Sequence, residues 1–135
     1  MLLSLASYRN SKKQGDIGLV LEIAWFEIND YPVSIPLTDS QDYDLIIDMS
    51  GTLKKVQVRT TYNQQKSGSY EVNLRVMGGN RSGTGQVKYF IDTDVDYLFI
   101  VVENGAKYFI PKSNITNKRA INIFNDRQYE QYRVE

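Results

Sequence analysis

Tyr43-Asp44-Leu45-Ile46-Ile47-Asp48-Met49-Ser50-Gly51-Thr52-Leu53-Lys54-Lys55-Val56-Gln57-Val58-Arg59-Thr60-Thr61 is the stretch that decides the fold of this chain. An apolar run, a glycine-containing turn and an alternating run predict two adjacent strands. On the second strand Val56 and Val58 point to one face, and Lys55, Gln57 and Arg59 to the other. Asp44 opens the first strand. Adjacent strands lie about 4.8 Å apart, so one ion can bridge Asp44 to the polar face of the second strand.

That arrangement suits phosphodiester hydrolysis. A divalent ion polarises the phosphate and lowers the pKa of an attacking water. Mg²⁺ takes octahedral oxygen ligands and keeps several waters. The Asp44 carboxylate supplies fixed charge, the Gln57 amide oxygen a second ligand, and the Val58 backbone carbonyl a third. The Arg59 cation would stand beside the phosphate and stabilise the charge that grows in the transition state. The same spacing also fits a hairpin with a solvated polar face, so the residues around it decide.

At 135 residues the chain is expected to form one domain, residues 1–135, with a single core. Its 41% hydrophobic and 24% charged content, at zero net charge, suits a globular protein. Neutrality argues against strong nonspecific nucleic-acid binding unless the cations gather on one face. There is no cysteine and no histidine. That excludes disulfides, most zinc sites and Cys- or His-dependent nucleophilic chemistry. Any metal is therefore oxygen-ligated, with Mg²⁺ or Mn²⁺ favoured. No apolar stretch is long enough for a membrane span, and the Met1-Leu2-Leu3 start lacks a signal-peptide pattern, so a cytoplasmic location is expected.

Before the hairpin, Ser11-Lys12-Lys13-Gln14 is either a frayed terminus or a place where Lys12 and Lys13 meet phosphate beside a helix start. Gly15 to Asn29 is the expected helix. Its broad apolar face is Ile17, Val20, Leu21, Ala24, Trp25 and Ile28, and Asp16 falls in its first turn. Tyr31 to Pro36 is a strand and Leu37 to Asp42 a polar connection. Beyond the hairpin, Tyr70 to Val76 alternates as one strand. Met77 to Gly85 is a glycine-rich loop without the Gly-Lys-Ser/Thr ending of a nucleotide loop. It is either a plain connection or a DNA-reaching loop whose donors are Asn80, Arg81 and Ser82, with Lys88 just beyond. Asp96 to Glu103 is apolar enough for a strand buried on both faces. Asn104-Gly105 predicts a hairpin into Ala106 to Pro111. Lys112 to Lys118 can hold a helical turn, and Arg119 to Phe124 a short strand. The expected architecture is α/β, a mixed sheet flanked by an N-terminal helix, and it resembles the restriction endonuclease-like core.

Several stretches together are more specific. Gly15-Asp16-Ile17-Gly18, Val33-Ser34-Ile35-Pro36-Leu37-Thr38, Tyr43 to Asp48, Val56 to Thr61, Gly78 to Gly85 and Val95-Asp96-Tyr97 follow one another in an order that resembles the small PD-(D/E)xK nucleases of bacterial group I introns, a homing-endonuclease family. The resemblance runs over roughly Lys12 to Pro111. It implies Mg²⁺-dependent cutting of double-stranded DNA, with Asp44 as the metal-binding Asp and Gln57 as the Gln that replaces the usual acidic residue. Three positions depart from the pattern. Tyr43 stands for Pro. Arg59 stands for the catalytic Lys, a planar fork in place of a point charge. Leu19 stands where the family often carries a helix Glu. Glu22, three residues on, is the carboxylate offered in its place, and is otherwise a solvated helix residue.

A sequence-specific DNA endonuclease is thus the leading expectation. The others are a DNA-binding module of the same fold without cleavage, a structure-specific nuclease such as a junction resolvase, and a small interaction protein. One site cuts one strand, so a double-strand break calls for a homo-oligomer, a dimer or a tetramer.

Overall fold

The computed structural model describes residues 10–76, 87–124 and 127–135. Helix α1 spans Ser11–Ile28. It opens on Asn10, whose side-chain oxygen accepts the Lys12 amide at 2.9 Å and satisfies one of the free N–H groups of the first turn. The helix therefore starts four residues before the expected Gly15, and Asp16 lies in its second turn rather than its first.

In chain order the strands are β1 (Val33–Ser34), β2 (Leu45–Met49), β3 (Thr52–Thr61), β4 (Tyr70–Asn73), β5 (Arg75–Val76), β6 (Lys88–Tyr89), β7 (Tyr97–Val102), β8 (Lys107–Pro111), β9 (Ala120–Ile123) and β10 (Arg133–Val134). Six of them form one mixed sheet in the order β1-β2-β3-β7-β8-β10. Only β3 and β7 run parallel in it; the other pairs are antiparallel. Strands β4 and β9 form one ribbon and β5 and β6 another. Ser50 and Gly51, both at positive φ (53° and 92°), make the turn from β2 to β3.

Both faces of the sheet are covered. Phe99 and Val101 of β7 pack with Phe26, Leu45, Ile47 and Val56 under the helix. Leu98, Ile100 and Val102 pack with Tyr70, Val72, Leu74, Ile121 and Ile123 under the ribbons. That double burial is why β7 is apolar at consecutive positions.

The helix faces the sheet differently from its apolar pattern. The buried stripe is Gln14, Gly18, Glu22 and Phe26, spaced by four. Val20 and Ile28 of the expected apolar face are 64% and 80% exposed. The cause is close approach: a Cβ on Gly18 would come within 1.9 Å of Thr60 Cγ2, so only glycine lets the helix settle on β3 along this line.

Two strands are shorter than expected. Tyr31 to Pro36 reduces to Val33–Ser34. The Tyr70 to Val76 run breaks at Leu74, whose N–H donates to Arg119 O (2.9 Å) while its carbonyl accepts from Phe90 N (2.8 Å). The chain thereby passes from pairing with β9 to pairing with β6. Among the described residues no helix is long and apolar enough to cross a membrane.

Candidate active site

The register of β2 and β3 brings the polar residues of the hairpin to one spot. Asp44 sits just before β2, its N–H donating to Val56 O at 2.9 Å. Its Oδ2 accepts two hydrogen bonds from β3, from Gln57 Nε2 and from Val58 N, both at 2.8 Å. Gln57 is buried, and its Oε1 has no hydrogen-bond partner. Arg59 lies beside them with three donors committed to backbone carbonyls. Nη1 donates to Val58 O (3.2 Å), Nε to Asn73 O (3.2 Å) and Nη2 to Arg75 O (2.6 Å).

The helix supplies the opposite wall. Gly15, Asp16 and Leu19 face Asp44, Gln57, Val58, Arg59 and Thr60 across an open cleft of about 360 Å³. Glu22, one turn deeper than Gly18, is fully buried, and neither carboxylate oxygen has a hydrogen-bond partner. Burial, and then the charge of Asp44, hold its pKa well above the usual carboxylate range. Burial also raises Asp44, against the opposing pull of the Val58 N–H and of Arg59. Burial lowers Arg59 in turn, while Asp44 favours its charge.

The structure therefore brings Asp44, Gln57, Val58 and Arg59 together, with Glu22 close enough for its charge to interact with Asp44. Lys12 and Lys13 are exposed on the first turn of α1, next to the Gly15 and Asp16 wall. Lys88 is half-buried and ion-paired with Asp42 at 2.6 Å. Asn80, Arg81 and Ser82 lie outside the described residues. Gly15 and Asp16 also line the cleft, and the Gly15-x-x-Gly18 spacing is their one signal in the sequence.

The donors suit a hard divalent cation. They are all oxygen: the Asp44 carboxylate, the Val58 carbonyl and the buried, unpartnered amide oxygen of Gln57. Among the described residues no group of three or more acidic, His or Cys side chains is placed to hold an ion. Backbone and amide oxygens must therefore complete any such site, and waters on the open side of the cleft suit Mg²⁺.

A PD-(D/E)XK endonuclease family model matches residues 9–134. Among solved structures, the bacterial homing endonuclease I-Ssp6803I is similar, with a TM-score of 0.70 and 28% sequence identity. The match covers 92% of this chain and 86% of that one. No curated protein matches the chain significantly.

Proposed function

The chain belongs to the PD-(D/E)XK endonuclease family, and from that premise we propose that it is a Mg²⁺-dependent, sequence-specific endonuclease that hydrolyses phosphodiester bonds of double-stranded DNA. Mn²⁺ is the alternative metal. The observation that carries this is the hydrogen-bonded cluster of Asp44, Gln57 and Val58 on the wall of an open cleft. Likeness to a bacterial homing endonuclease supports intron homing as the biological setting.

Bound here, the ion would polarise the phosphate and acidify a water. The residues have separable tasks. Asp44 carries the charge that attracts the ion, and the Val58 N–H fixes its carboxylate. The Val58 carbonyl and Gln57 Oε1 add neutral oxygens. Glu22 holds a second carboxylate in reserve, whose ionisation is opposed by burial and by the charge of Asp44 and would be favoured by a bound cation. Arg59 presents a fixed positive charge at the cleft, pre-organised by its carbonyl partners. Lys12 and Lys13, on the first turn of α1, suit phosphate contact. The described residues hold one such cluster, so two strand cuts in one binding event require a homo-oligomer.

A second reading has its own observation. Arg59, which stands where the family has a lysine, spends its donors on the protein, and Leu19 puts an apolar group on the cleft wall. Both suit a DNA-binding module without cleavage. Nicking of supercoiled plasmid with Mg²⁺ and with EDTA separates the two. Cleavage that needs the metal is expected; binding without any cleavage under either condition would favour the module. Parallel assays on linear and four-way-junction DNA then test the preference for ordinary duplex over branched DNA.

A further inference from the structure

We propose that Arg75, Lys118 and Tyr89, with Arg119 beside them, form a phosphate-contact ledge that carries the DNA backbone away from the catalytic cleft. The proposal rests on the endonuclease function above. It concerns a surface formed where the β4–β9 and β5–β6 ribbons meet, adjoining the catalytic cluster at Arg59.

The register assembles the ledge from distant parts of the chain. Arg75 pairs with Tyr89 across the β5–β6 ribbon, so their side chains share a face. Lys118 lies with its Nζ 5.2 Å from the centre of the Tyr89 ring, a cation–π contact that holds the ammonium in place. Arg119 follows, its carbonyl accepting the Leu74 amide at 2.9 Å. Arg75, Lys118 and Arg119 are all exposed. The ion pairs among the described residues are Lys55–Asp94, Lys88–Asp42 and Arg133–Glu130, so no carboxylate among the described residues neutralises these three cations. In a chain of zero net charge, a run of unpaired cations beside one aromatic ring is a segregated basic surface.

The ledge is also fixed to the cleft. Arg59, on the cleft wall, donates to Arg75 O at 2.6 Å and to Asn73 O at 3.2 Å. The Asn73 side chain in turn accepts the Arg75 amide at 2.8 Å. One guanidinium thus ties the root of the ledge to the catalytic strand, which sets how far the two lie from each other. A polyanion seated at Asp44 and running past Arg59 would meet Arg75 next. Flexible surface cations lose much of their contribution to side-chain entropy. A cation stacked on a ring and another on a clamped backbone lose less.

The test is binding of a fluorescein-labelled random-sequence duplex in EDTA, read by anisotropy over a salt series. Each phosphate contact contributes about 0.9 to the slope of log affinity against log salt. Arg75→Gln with Lys118→Gln is expected to lower that slope by roughly 1.8 and to weaken binding on the order of tenfold at moderate salt. Arg75→Lys with Lys118→Arg is expected to keep the wild-type slope. Lys107→Gln, on β8, is the control for net charge. A double variant with wild-type affinity and slope would overturn the ledge alone. A control that weakens binding as much per charge as the double variant would overturn it too. Wild-type protein that binds no duplex would overturn the ledge, and wild-type protein that also fails to nick plasmid in Mg²⁺ would remove the nuclease function with it.

Discussion

Gln57 donates through Nε2 to Asp44 Oδ2 at 2.8 Å, and this one contact orients both residues. It turns the amide so that Oε1 is left buried and unpartnered. An amide tolerates Asp44 as a neighbour without a cation; a second carboxylate there would repel it.

Gln57→Glu should therefore lower the melting temperature of the metal-free protein, because it replaces a donor with a like charge. Mg²⁺ should then raise it by more than in wild type, since the cation offsets the new repulsion. Thermal melts in EDTA and in Mg²⁺ check this. An equal Mg²⁺ shift in both proteins would place Gln57 outside the metal site.

Glu22→Gln should stabilise the metal-free protein at neutral pH, by about 1–3 kcal/mol if the buried carboxylate is relieved of its desolvation. The sign follows from its raised pKa. The folded protein holds this proton more tightly than the unfolded chain does. The stability contributed is thus complete below the unfolded pKa and is lost as pH rises through the folded one. Wild-type stability in EDTA should fall across that window, and the variant's should fall less. A variant that is less stable at neutral pH would show that Glu22 has partners the structure lacks.

Gly18→Ala should cost about 1–3 kcal/mol, because the new methyl meets Thr60 Cγ2 at 1.9 Å. Adding Thr60→Ser removes that methyl and should recover most of the loss. Denaturant melts of the two single variants and the double provide the cycle. Additive losses would mean that the helix does not touch β3 through this pair.

Arg59→Lys should destabilise the fold, since one ammonium cannot serve carbonyls of Val58, Asn73 and Arg75 in their fixed fork geometry. A cost of about 1–3 kcal/mol is expected for the carbonyls left unpaired. The single-turnover rate in Mg²⁺, measured at a temperature where the variant is folded, should fall less than tenfold, because the charge at the cleft survives. An unchanged melting temperature would show that the carbonyl contacts contribute little.

Much of this was legible in the sequence. The alternation at Val56, Gln57, Val58 and Arg59 and the turn at Gly51 foretell a hairpin whose polar face lies within an ion's reach of Asp44. The consecutive apolar positions of β7 foretell a doubly covered strand. The helix was harder, because hydrophobic periodicity assumes that the apolar face turns inward. Here Gly18 and Glu22 turn inward at the site, and Val20 and Ile28 are left outside. Strands of two residues, such as β6 and β10, carry no period of their own; their partners β5 and β8 define them. The ledge cations were invisible for a related reason. Arg75 and Lys118 are far apart in the chain, and only the break at Leu74 brings their ribbons together.

The most direct test of the central claim is Mg²⁺-dependent cleavage of duplex DNA by Asp44→Asn. Asparagine keeps a side-chain oxygen to accept the Val58 amide and removes the charge, so the fold should survive, as circular dichroism would show. Wild type should cleave plasmid DNA in Mg²⁺ and not in EDTA, and the variant should lose on the order of 100-fold or more in rate, as expected when a site's main electrostatic group is removed. A folded Asp44→Asn protein that cleaves at the wild-type rate would contradict the assignment of this cleft as the metal-dependent active site.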